Sequence, residues 1–228
     1  MMSDRLQINE IFFSIQGEST LVGLPCIFVR LTGCHLRCHY CDTEYAFYEG
    51  KAKSIDAVLA KVGEFNCDLV EVTGGEPLLQ PNVHLLMTQL CDMGKTVLLE
   101  TSGASDISVC DQRVIRIIDL KTPGSGESHR NLWSNLEHLA EQDEVKLVIC
   151  DRNDYDWASS IIRKHRLIER VAAVLLSPVA SVDPGAHIAG SPGLAIEELA
   201  QWVLKDKLAV RIQTQLHKLI WDPMTRGV

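Results

Sequence analysis

The sequence predicts an α/β fold in which parallel strands form a partial (β/α)6 barrel with an added N-terminal strand. Short apolar runs rich in β-branched residues alternate with amphipathic stretches of helical period, which is typical of right-handed crossovers and a parallel sheet. With 228 residues, the chain is too short for a full eightfold barrel of about 250 residues. Six strands fit this length better, although a flat doubly wound sheet has the same periodicity and is the competing architecture.

The core strands are predicted where runs are almost continuously apolar, as in strands that are covered on both faces. These runs are 26–31, 69–72, 96–99, 114–118, 145–149 and 171–176. Another strand is predicted at about 7–15, ahead of the first core strand. The chain contains no repeat, low-complexity tract or linker, so we predict one domain over residues 1–228.

Helices are predicted where apolar residues recur on one helical face. Ser54 is a suitable N-cap for the first helix, in which Ile55, Val58 and Val62 share a face. The others are predicted at about 82–93, 131–141, 154–167 and 195–206, with Gly94 placed to end the first of these four. Pro and Gly cluster at 122–126 and 177–193, which predicts loops at the ends of strands.

Composition and charge exclude several classes of protein. Hydrophobic residues make up 46% of the chain and charged residues 23%, and the net charge is −8. Without a basic stripe, we expect no nucleic-acid partner. No apolar run approaches the roughly 20 residues of a membrane-spanning helix. The first residues, 1–6, lack the apolar stretch of a secretory signal, so we expect a cytoplasmic protein without a membrane association.

Three of the eight cysteines, Cys34, Cys38 and Cys41, fall within eight residues. In a chain without a secretory signal this density indicates a metal site rather than disulfides. Three thiolates can hold a compact cluster, but they are one short of the four that saturate a [4Fe–4S] cube. One iron would then accept a small-molecule ligand. The remaining cysteines are expected to be small buried hydrophobes: Cys26, Cys67, Cys91, Cys110 and Cys150.

Two other metal sites fit the same triplet. A structural zinc ion could use His35 or His39 as its fourth ligand, although such sites usually pair two separated ligand doublets. A simple electron carrier would need a fourth cysteine at a suitable position, and the scattered cysteines have the surroundings of core residues. Spacing alone does not exclude zinc.

The triplet, Cys34-x-x-x-Cys38-x-x-Cys41 after the first core strand, resembles the cluster motif of the radical S-adenosylmethionine (SAM) superfamily. The stretch Val72-Thr-Gly-Gly-Glu-Pro77 after the second strand resembles the motif that holds the SAM amino group in that superfamily. By itself, this second stretch would be a turn that starts a helix. The resemblance implies a radical-SAM partial barrel and a [4Fe–4S] cluster whose open iron binds SAM, so that reduction yields a 5′-deoxyadenosyl radical.

Further patches are similar to the 7-carboxy-7-deazaguanine synthase family, which serves the pathway to queuosine. They span nearly the whole chain: 9–18, 23–25, 28–34, 41–43, 119–121 and 213–218. This resemblance implies a carbon–nitrogen lyase that converts 6-carboxy-5,6,7,8-tetrahydropterin to 7-carboxy-7-deazaguanine and ammonia. The radical would remove a hydrogen atom from C6, and its return after ring contraction would regenerate SAM. No catalytic side chain beyond the cofactor is assigned. The family also implies Mg²⁺, a reductase such as a flavodoxin-type donor, and a homodimer.

The family resemblance also implies ligand contacts, concentrated in a cluster loop at about 33–43 and a C-terminal segment at about 209–228. Substrate contacts are implied for Ile15, Gln16, Gly17, Glu18, Arg30, Thr73 and His217. SAM contacts are implied for Gly75, Glu76, Asp119, Lys121, Ser177, Pro178, Val179 and Ala180. Thr43 holds the position of the Mg²⁺ ligand, and Mg²⁺ prefers oxygen ligands.

The chemistry of the ligands supports several of these contacts. A pterin edge suits the backbone of 15–17 and the side chains of Gln16 and Glu18, and a substrate carboxylate suits Arg30. Structural roles compete at some positions: Arg30 as an ion-pair partner, Thr43 as a capping hydroxyl, and 177–180 as a turn. Some family members end just beyond the His-Lys pair and use their terminal carboxylate near the substrate. Here the chain continues to Val228, so that contact is not carried over.

Two other functions compete with a deazaguanine synthase. A glycyl-radical-enzyme activase has a similar length and cluster motif, but it acts on a polypeptide. It would not need the Gln-Gly-Glu patch at 16–18 or the Gln-x-Gln-x-His patch at 213–217. A zinc-stabilised interaction module is the non-enzymatic alternative.

Overall fold

A computed structural model describes residues 4–222 and 225–228. Residues 1–3, 223 and 224, which belong to the predicted domain and in part to the predicted C-terminal segment, lie outside the described residues. The strands are β1 (Arg5–Ile15), β2 (Pro25–Leu31), β3 (Lys51–Ser54), β4 (Leu69–Gly74), β5 (Thr96–Thr101), β6 (Ile115–Asp119), β7 (Glu144–Ile149), β8 (Ala173–Pro178) and β9 (Arg211–Ile212). The α-helices are α1 (Ile55–Gly63), α2 (Val83–Asp92), α3 (Arg152–Lys164), α4 (Ile196–Asp206) and α5 (His217–Ile220).

One sheet contains all nine strands, in the order β3-β1-β2-β4-β5-β6-β7-β8-β9. The strands from β2 through β4 to β9 pair in parallel, and β1 pairs antiparallel with both β2 and β3. Each parallel strand lies beside the parallel strand that precedes it in the chain, whereas a doubly wound sheet reverses its order partway. The partial barrel with an added N-terminal strand is therefore confirmed, and the flat doubly wound alternative is wrong.

The two faces of the sheet differ in chemistry. On β2, Ile27, Val29 and Leu31 belong to the main hydrophobic core, which includes buried residues of α1 to α4. The alternate residues Phe28 and Arg30 lie on the inner face, because successive side chains of a strand point to opposite sides. Neighbouring strands repeat this alternation and place further charged side chains on the inner face: Glu71, Glu100, Asp119 and Lys146.

The helix predicted at 131–141 is wrong. The segment contains a 3₁₀ helix at Trp133–His138, preceded by a shorter one at Ser128–Arg130. The side chain of Asn131 exchanges two hydrogen bonds with the backbone of Lys121, both 2.9 Å long. Asn135 donates to the carbonyl of Ser105 (2.8 Å) and accepts from the backbone N–H of Ile107 (3.2 Å). These long-range bonds fix a loop conformation that a continuous helix would break.

The four other predicted helices are present as α1 to α4. The Ser54 hydroxyl accepts a hydrogen bond from Ala57 N (3.2 Å) at the start of α1, as predicted. Helix α3 begins at 152 rather than 154, because Asp151 caps it by accepting from Asp154 N (2.9 Å). Strand β8 extends to Pro178, two residues into the predicted loop. In the described part of the chain, no helix is long and apolar enough to cross a membrane.

Candidate functional site

An open cavity at the carboxyl ends of the parallel strands brings the predicted site residues together. It encloses about 1340 Å³ of empty space, counting space open to solvent. All the predicted cluster, Mg²⁺, substrate and SAM residues line this cavity except Ile15 and Glu76. Binding sites in open parallel sheets form at this edge, because the loops that follow the strands converge there. The ligand contacts themselves stay predictions.

The cluster loop folds against the loop that follows β6. Arg37 N donates to the carboxylate of Glu127 (2.6 Å), and His39 N donates to the carbonyl of Ser125 (3.0 Å). The three cysteines pack in an apolar cluster with Leu36, Tyr40 and Val179. All eight cysteines of the chain are free thiols, and those outside the triplet do not line the cavity.

Burial controls the protonation of these thiols. It raises the pKa of Cys34, Cys38 and Cys41, the last to about 12, because a thiolate is poorly solvated here. A bound cationic cluster would reverse this preference, since metal ions deprotonate coordinating thiols. Within residues 4–222 and 225–228, no three His, Cys, Asp or Glu side chains are placed to hold a single ion. A cubane takes each cysteine at a different corner, so it does not need that convergence.

The loop after β4 lies directly on the cluster loop. Glu76 N donates to Gly33 O (2.8 Å), and a Cβ on Gly75 would lie 2.3 Å from Gly33 O and 2.8 Å from Cys34 Cβ. Only glycine allows this approach of two backbones. The pair of loops therefore forms a backbone cradle beside the cysteines.

Glu76 has a different environment from the one predicted. Its side chain is fully buried and accepts hydrogen bonds from Ser102 N (2.7 Å), Leu78 N (3.0 Å) and the Thr101 hydroxyl (3.0 Å). The carboxylate thus fastens the β4 loop to the end of β5 and does not face the cavity. The SAM contact predicted for Glu76 stays a prediction.

Two lysines organise the charges of the inner face. Lys146 Nζ contacts the carboxylates of Glu18 (2.8 Å) and Glu100, and Lys121 Nζ contacts Asp119 Oδ2 (2.8 Å). Burial alone would lower the pKa of both ammonium groups, but these carboxylates raise each pKa well above its ordinary value. The other oxygen of Asp119 is buried without a hydrogen-bond partner in the described residues. A ligand hydroxyl or ammonium would supply that partner.

The N-terminal and C-terminal patches meet over this network. Gln215 Nε2 donates to Glu18 Oε1 (3.1 Å), and Gln213 Nε2 donates to Glu18 Oε2 (3.2 Å). His217 packs so closely on Gly17 that a Cβ there would lie 2.0 Å from His217 Nδ1. Burial lowers the pKa of His217 despite the nearby carboxylate of Glu18, so its imidazole is kept neutral.

Asp42 connects the cluster loop to α5. Its carboxylate accepts from Lys218 Nζ (2.6 Å), Gln215 Nε2 (3.0 Å) and the Thr43 hydroxyl (2.9 Å). Burial would raise the pKa of Asp42, but Lys218 lowers it far below its ordinary value. Because the Thr43 hydroxyl donates its proton to Asp42, the lone pairs of its oxygen stay available to a cation.

Among the residues that line the cavity, sequence reasoning missed the charged side chains of Glu71, Glu100 and Lys146. Each is a charged residue inside a strand predicted from its apolar neighbours, or at the end of one. Buried charges are rare unless they are paired or functional. Charges that interrupt adjacent parallel strands were the signal that could have identified them.

Comparisons with known proteins agree with this geometry. A sequence profile described as the Radical SAM superfamily matches residues 28–121. The 7-carboxy-7-deazaguanine synthase of Koribacter versatilis is 45% identical over 226 residues, covering 98% of this chain and 100% of that protein. The one from Chlorobaculum tepidum is 43% identical over 226 residues, covering 98% and 97%. A crystal structure of QueE from Escherichia coli has a TM-score of 0.72 at 22% identity, covering 93% and 95% of the two chains; this last likeness concerns the fold.

Proposed function

Because the chain belongs to the 7-carboxy-7-deazaguanine synthase family of radical SAM enzymes, we propose that it converts 6-carboxy-5,6,7,8-tetrahydropterin to 7-carboxy-7-deazaguanine and ammonia. The chain is a radical SAM enzyme of queuosine biosynthesis, a carbon–nitrogen lyase that uses a [4Fe–4S] cluster and SAM. When bound, these groups supply the one-electron chemistry that removes a hydrogen atom from the substrate and returns it. Membership of this family does not favour the two alternatives, the glycyl-radical-enzyme activase and the zinc-stabilised interaction module.

One observation carries the proposal: a loop with only three cysteines adjoins a glycine cradle and a polar wall within one cavity. Cys34, Cys38 and Cys41 would hold the cluster and leave one corner open. The cradle at Gly75 would receive the amino acid part of SAM, while Asp119 and Lys121 would meet its polar groups. The segment 177–180 also lines the cavity and would contact the nucleoside.

The substrate would lie against the N-terminal and C-terminal patches. The backbone of Gln16 and Gly17 and the carboxylate of Glu18 would accept the amine-bearing edge of the pterin. Arg30 would bind its carboxylate, and Thr73 and His217 would contact the ring. A neutral His217 can donate one hydrogen bond and accept another. Its role would be to orient the substrate and to exclude water.

Other parts of the proposal concern the metal ion and the partners. Thr43 would provide one oxygen ligand to Mg²⁺, with Asp42 holding its hydroxyl in orientation and substrate oxygens completing the shell. The enzyme acts on a small molecule, and we propose a flavodoxin-type reductase as electron donor, a homodimer and a cytoplasmic location. Eight free thiols agree with a reducing compartment.

An anaerobic assay tests the proposed function. The reconstituted protein is supplied with SAM, dithionite, Mg²⁺ and the carboxylated tetrahydropterin, and 7-carboxy-7-deazaguanine is sought by mass spectrometry. We expect product with the complete mixture and none when SAM is omitted. A brown protein that cleaves SAM but leaves the pterin unchanged would contradict the substrate assignment. A colourless protein with stoichiometric zinc would contradict the radical mechanism.

A further inference from the structure

The guanidinium of Arg30 is hydrogen-bonded to the protein through its Nε atom. Glu10 lies opposite Arg30 in the β1–β2 ladder, and Arg30 Nε donates to Glu10 Oε1 (2.8 Å). In the described part of the chain, the two terminal nitrogens of Arg30 have no hydrogen-bond partner, and the residue lines the cavity. A guanidinium held at Nε keeps a fork of terminal N–H groups that matches a second carboxylate.

Tyr45 fixes the carboxylate that holds Arg30. Its hydroxyl donates to the same oxygen of Glu10 (2.9 Å). The side chains of Arg30 and Glu10 are 17% and 20% exposed, so neither is freely solvated. With two donors on Glu10 Oε1, the carboxylate has little freedom to rotate. The direction of the guanidinium therefore depends on Tyr45 as well as on Glu10.

The tail segment, residues 225–228, covers this group from the outside. The guanidinium carbon of Arg226 lies 3.8 Å from the centre of the Tyr45 ring, and Arg226 Nη1 contacts Glu49 Oε2 (2.8 Å). A Cβ on Gly227 would lie 3.8 Å from Glu10 Oε2. The cation over the ring is a favourable contact that holds Tyr45 against Glu10.

We infer that the tail segment is a working part of the substrate-carboxylate site, in which Arg226, acting through Tyr45 and Glu10, positions the guanidinium of Arg30. Arg226 is thus a positioning residue and has no contact with the substrate. The inference rests on the proposed function, because it assigns the free fork of Arg30 to the carboxylate of the pterin. It gives the tail segment, which extends past the His-Lys pair at 217–218, a role in substrate specificity.

Steady-state kinetics under anaerobic conditions test the inference with Arg226→Gln. Arg113→Gln is the matched control, because Arg113 is also a surface arginine, with 51% exposure against 52% for Arg226, and pairs with Asp92 and Asp111. We expect Arg226→Gln to raise KM for the carboxylated pterin about 2–5-fold, the range for an exposed cation–π contact, with kcat and iron content unchanged. Arg113→Gln should leave KM unchanged.

Two further measurements separate positioning from a general structural effect. Tyr45→Phe removes the donor to Glu10 and should raise KM about 2–10-fold, and adding Arg226→Gln to it should cause little further increase. Tetrahydropterin without the carboxylate is used as a competitive inhibitor, and its inhibition constant should be the same for wild type and Arg226→Gln. If Arg226→Gln weakened the binding of both pterins by the same factor, the inference would be overturned, since the carboxylate would then be irrelevant.

The outcomes distinguish the inference from the function on which it rests. If the wild type forms no deazaguanine, the proposed function fails and the inference fails with it. If the wild type is active and Arg226→Gln has the KM of the Arg113→Gln control, the proposed function stands and the inference is wrong.

Discussion

Glu71 carries a carboxyl group on the inner face whose surroundings differ from those of a surface glutamate. It is buried on β4, and Gln16 Nε2 donates to its Oε2. The Gln16 amide oxygen also accepts from Glu18 N (3.1 Å), so Gln16 fixes Glu71 relative to the N-terminal patch. Burial and the neighbouring charge of Glu100 raise the pKa of Glu71 to about 8. At neutral pH this residue is a protonated acid that can both donate to a ligand and accept from it.

The first prediction concerns the dependence of stability on pH. Glu71 has an ordinary pKa of 4.5, so between that value and about 8 the folded protein holds a proton that the unfolded chain releases. Stability must therefore fall as pH rises through this window, at most about 1.4 kcal/mol per pH unit for one proton. We expect Glu71→Gln, which cannot titrate, to lessen this fall in urea unfolding measured at about pH 6 and pH 8. Equal pH dependence in both proteins would show that Glu71 is ionised when folded.

The second prediction concerns the cysteines. Cys34→Ala, Cys38→Ala and Cys41→Ala should each abolish SAM cleavage and reduce iron content, because a cubane with two protein thiolates is poorly held. Cys67→Ala is the control, since Cys67 does not line the cavity and its Sγ donates to Pro25 O (3.3 Å). Iron and visible absorption are measured after anaerobic reconstitution. Loss of iron from Cys67→Ala would contradict the assignment of ligands.

At the scale of elements, the loops were predictable in position but not in their mutual contacts. Motif spacing located the cluster loop and the Gly-Gly-Glu-Pro loop, since each follows a strand that its apolar run identified. That Glu76 fastens its loop to Thr101 and Ser102 depends on the approach of β4 to β5, which no local pattern encodes. The missing helix at 131–141 has the same cause. Its apolar period is helical, but Asn131 and Asn135 bond to distant backbone groups.

The third prediction tests the contact between the two loops. Gly75→Ala would place a methyl group 2.3 Å from Gly33 O, and backbone atoms cannot move aside as a flexible side chain would. We expect a loss of about 1–3 kcal/mol in the free energy of unfolding, together with weaker SAM binding. Chemical unfolding followed by circular dichroism and equilibrium SAM binding measure the two effects.

Gly63→Ala is the control for this substitution. Gly63 is the last residue of α1, and a Cβ there would meet no atom within 4 Å. Alanine should be neutral or stabilise the protein by about 0.5–1 kcal/mol, because it restricts the unfolded chain. If both alanine variants had the same stability and SAM affinity, the two loops would not be in the contact described.

At the scale of the whole molecule, the sequence predicted the order of the strands and helices but not the chemistry of the barrel interior. Alternating strands and helices were sufficient for the partial barrel, because the helix-facing residues of the core strands are mostly apolar. Glu71, Glu100 and Lys146 lie on three different strands, and only the register of the sheet brings them into one cavity. The added strands β3 and β9 have only four and two residues, too few for a recognisable period.

The last prediction concerns Lys146, which connects Glu18, beyond the end of β1, to Glu100 at the centre of the sheet. Its side chain is 7% exposed, so removing its charge leaves two carboxylates without their cation. We expect Lys146→Met to lower the free energy of unfolding by about 3–5 kcal/mol at neutral pH. The deficit should shrink in acid, since protonated carboxyl groups no longer need a cation. Lys61→Met, at an exposed pair with Glu64, should cost at most about 0.5 kcal/mol. Similar losses for the two variants in urea unfolding would mean that the interior network does not hold the barrel together.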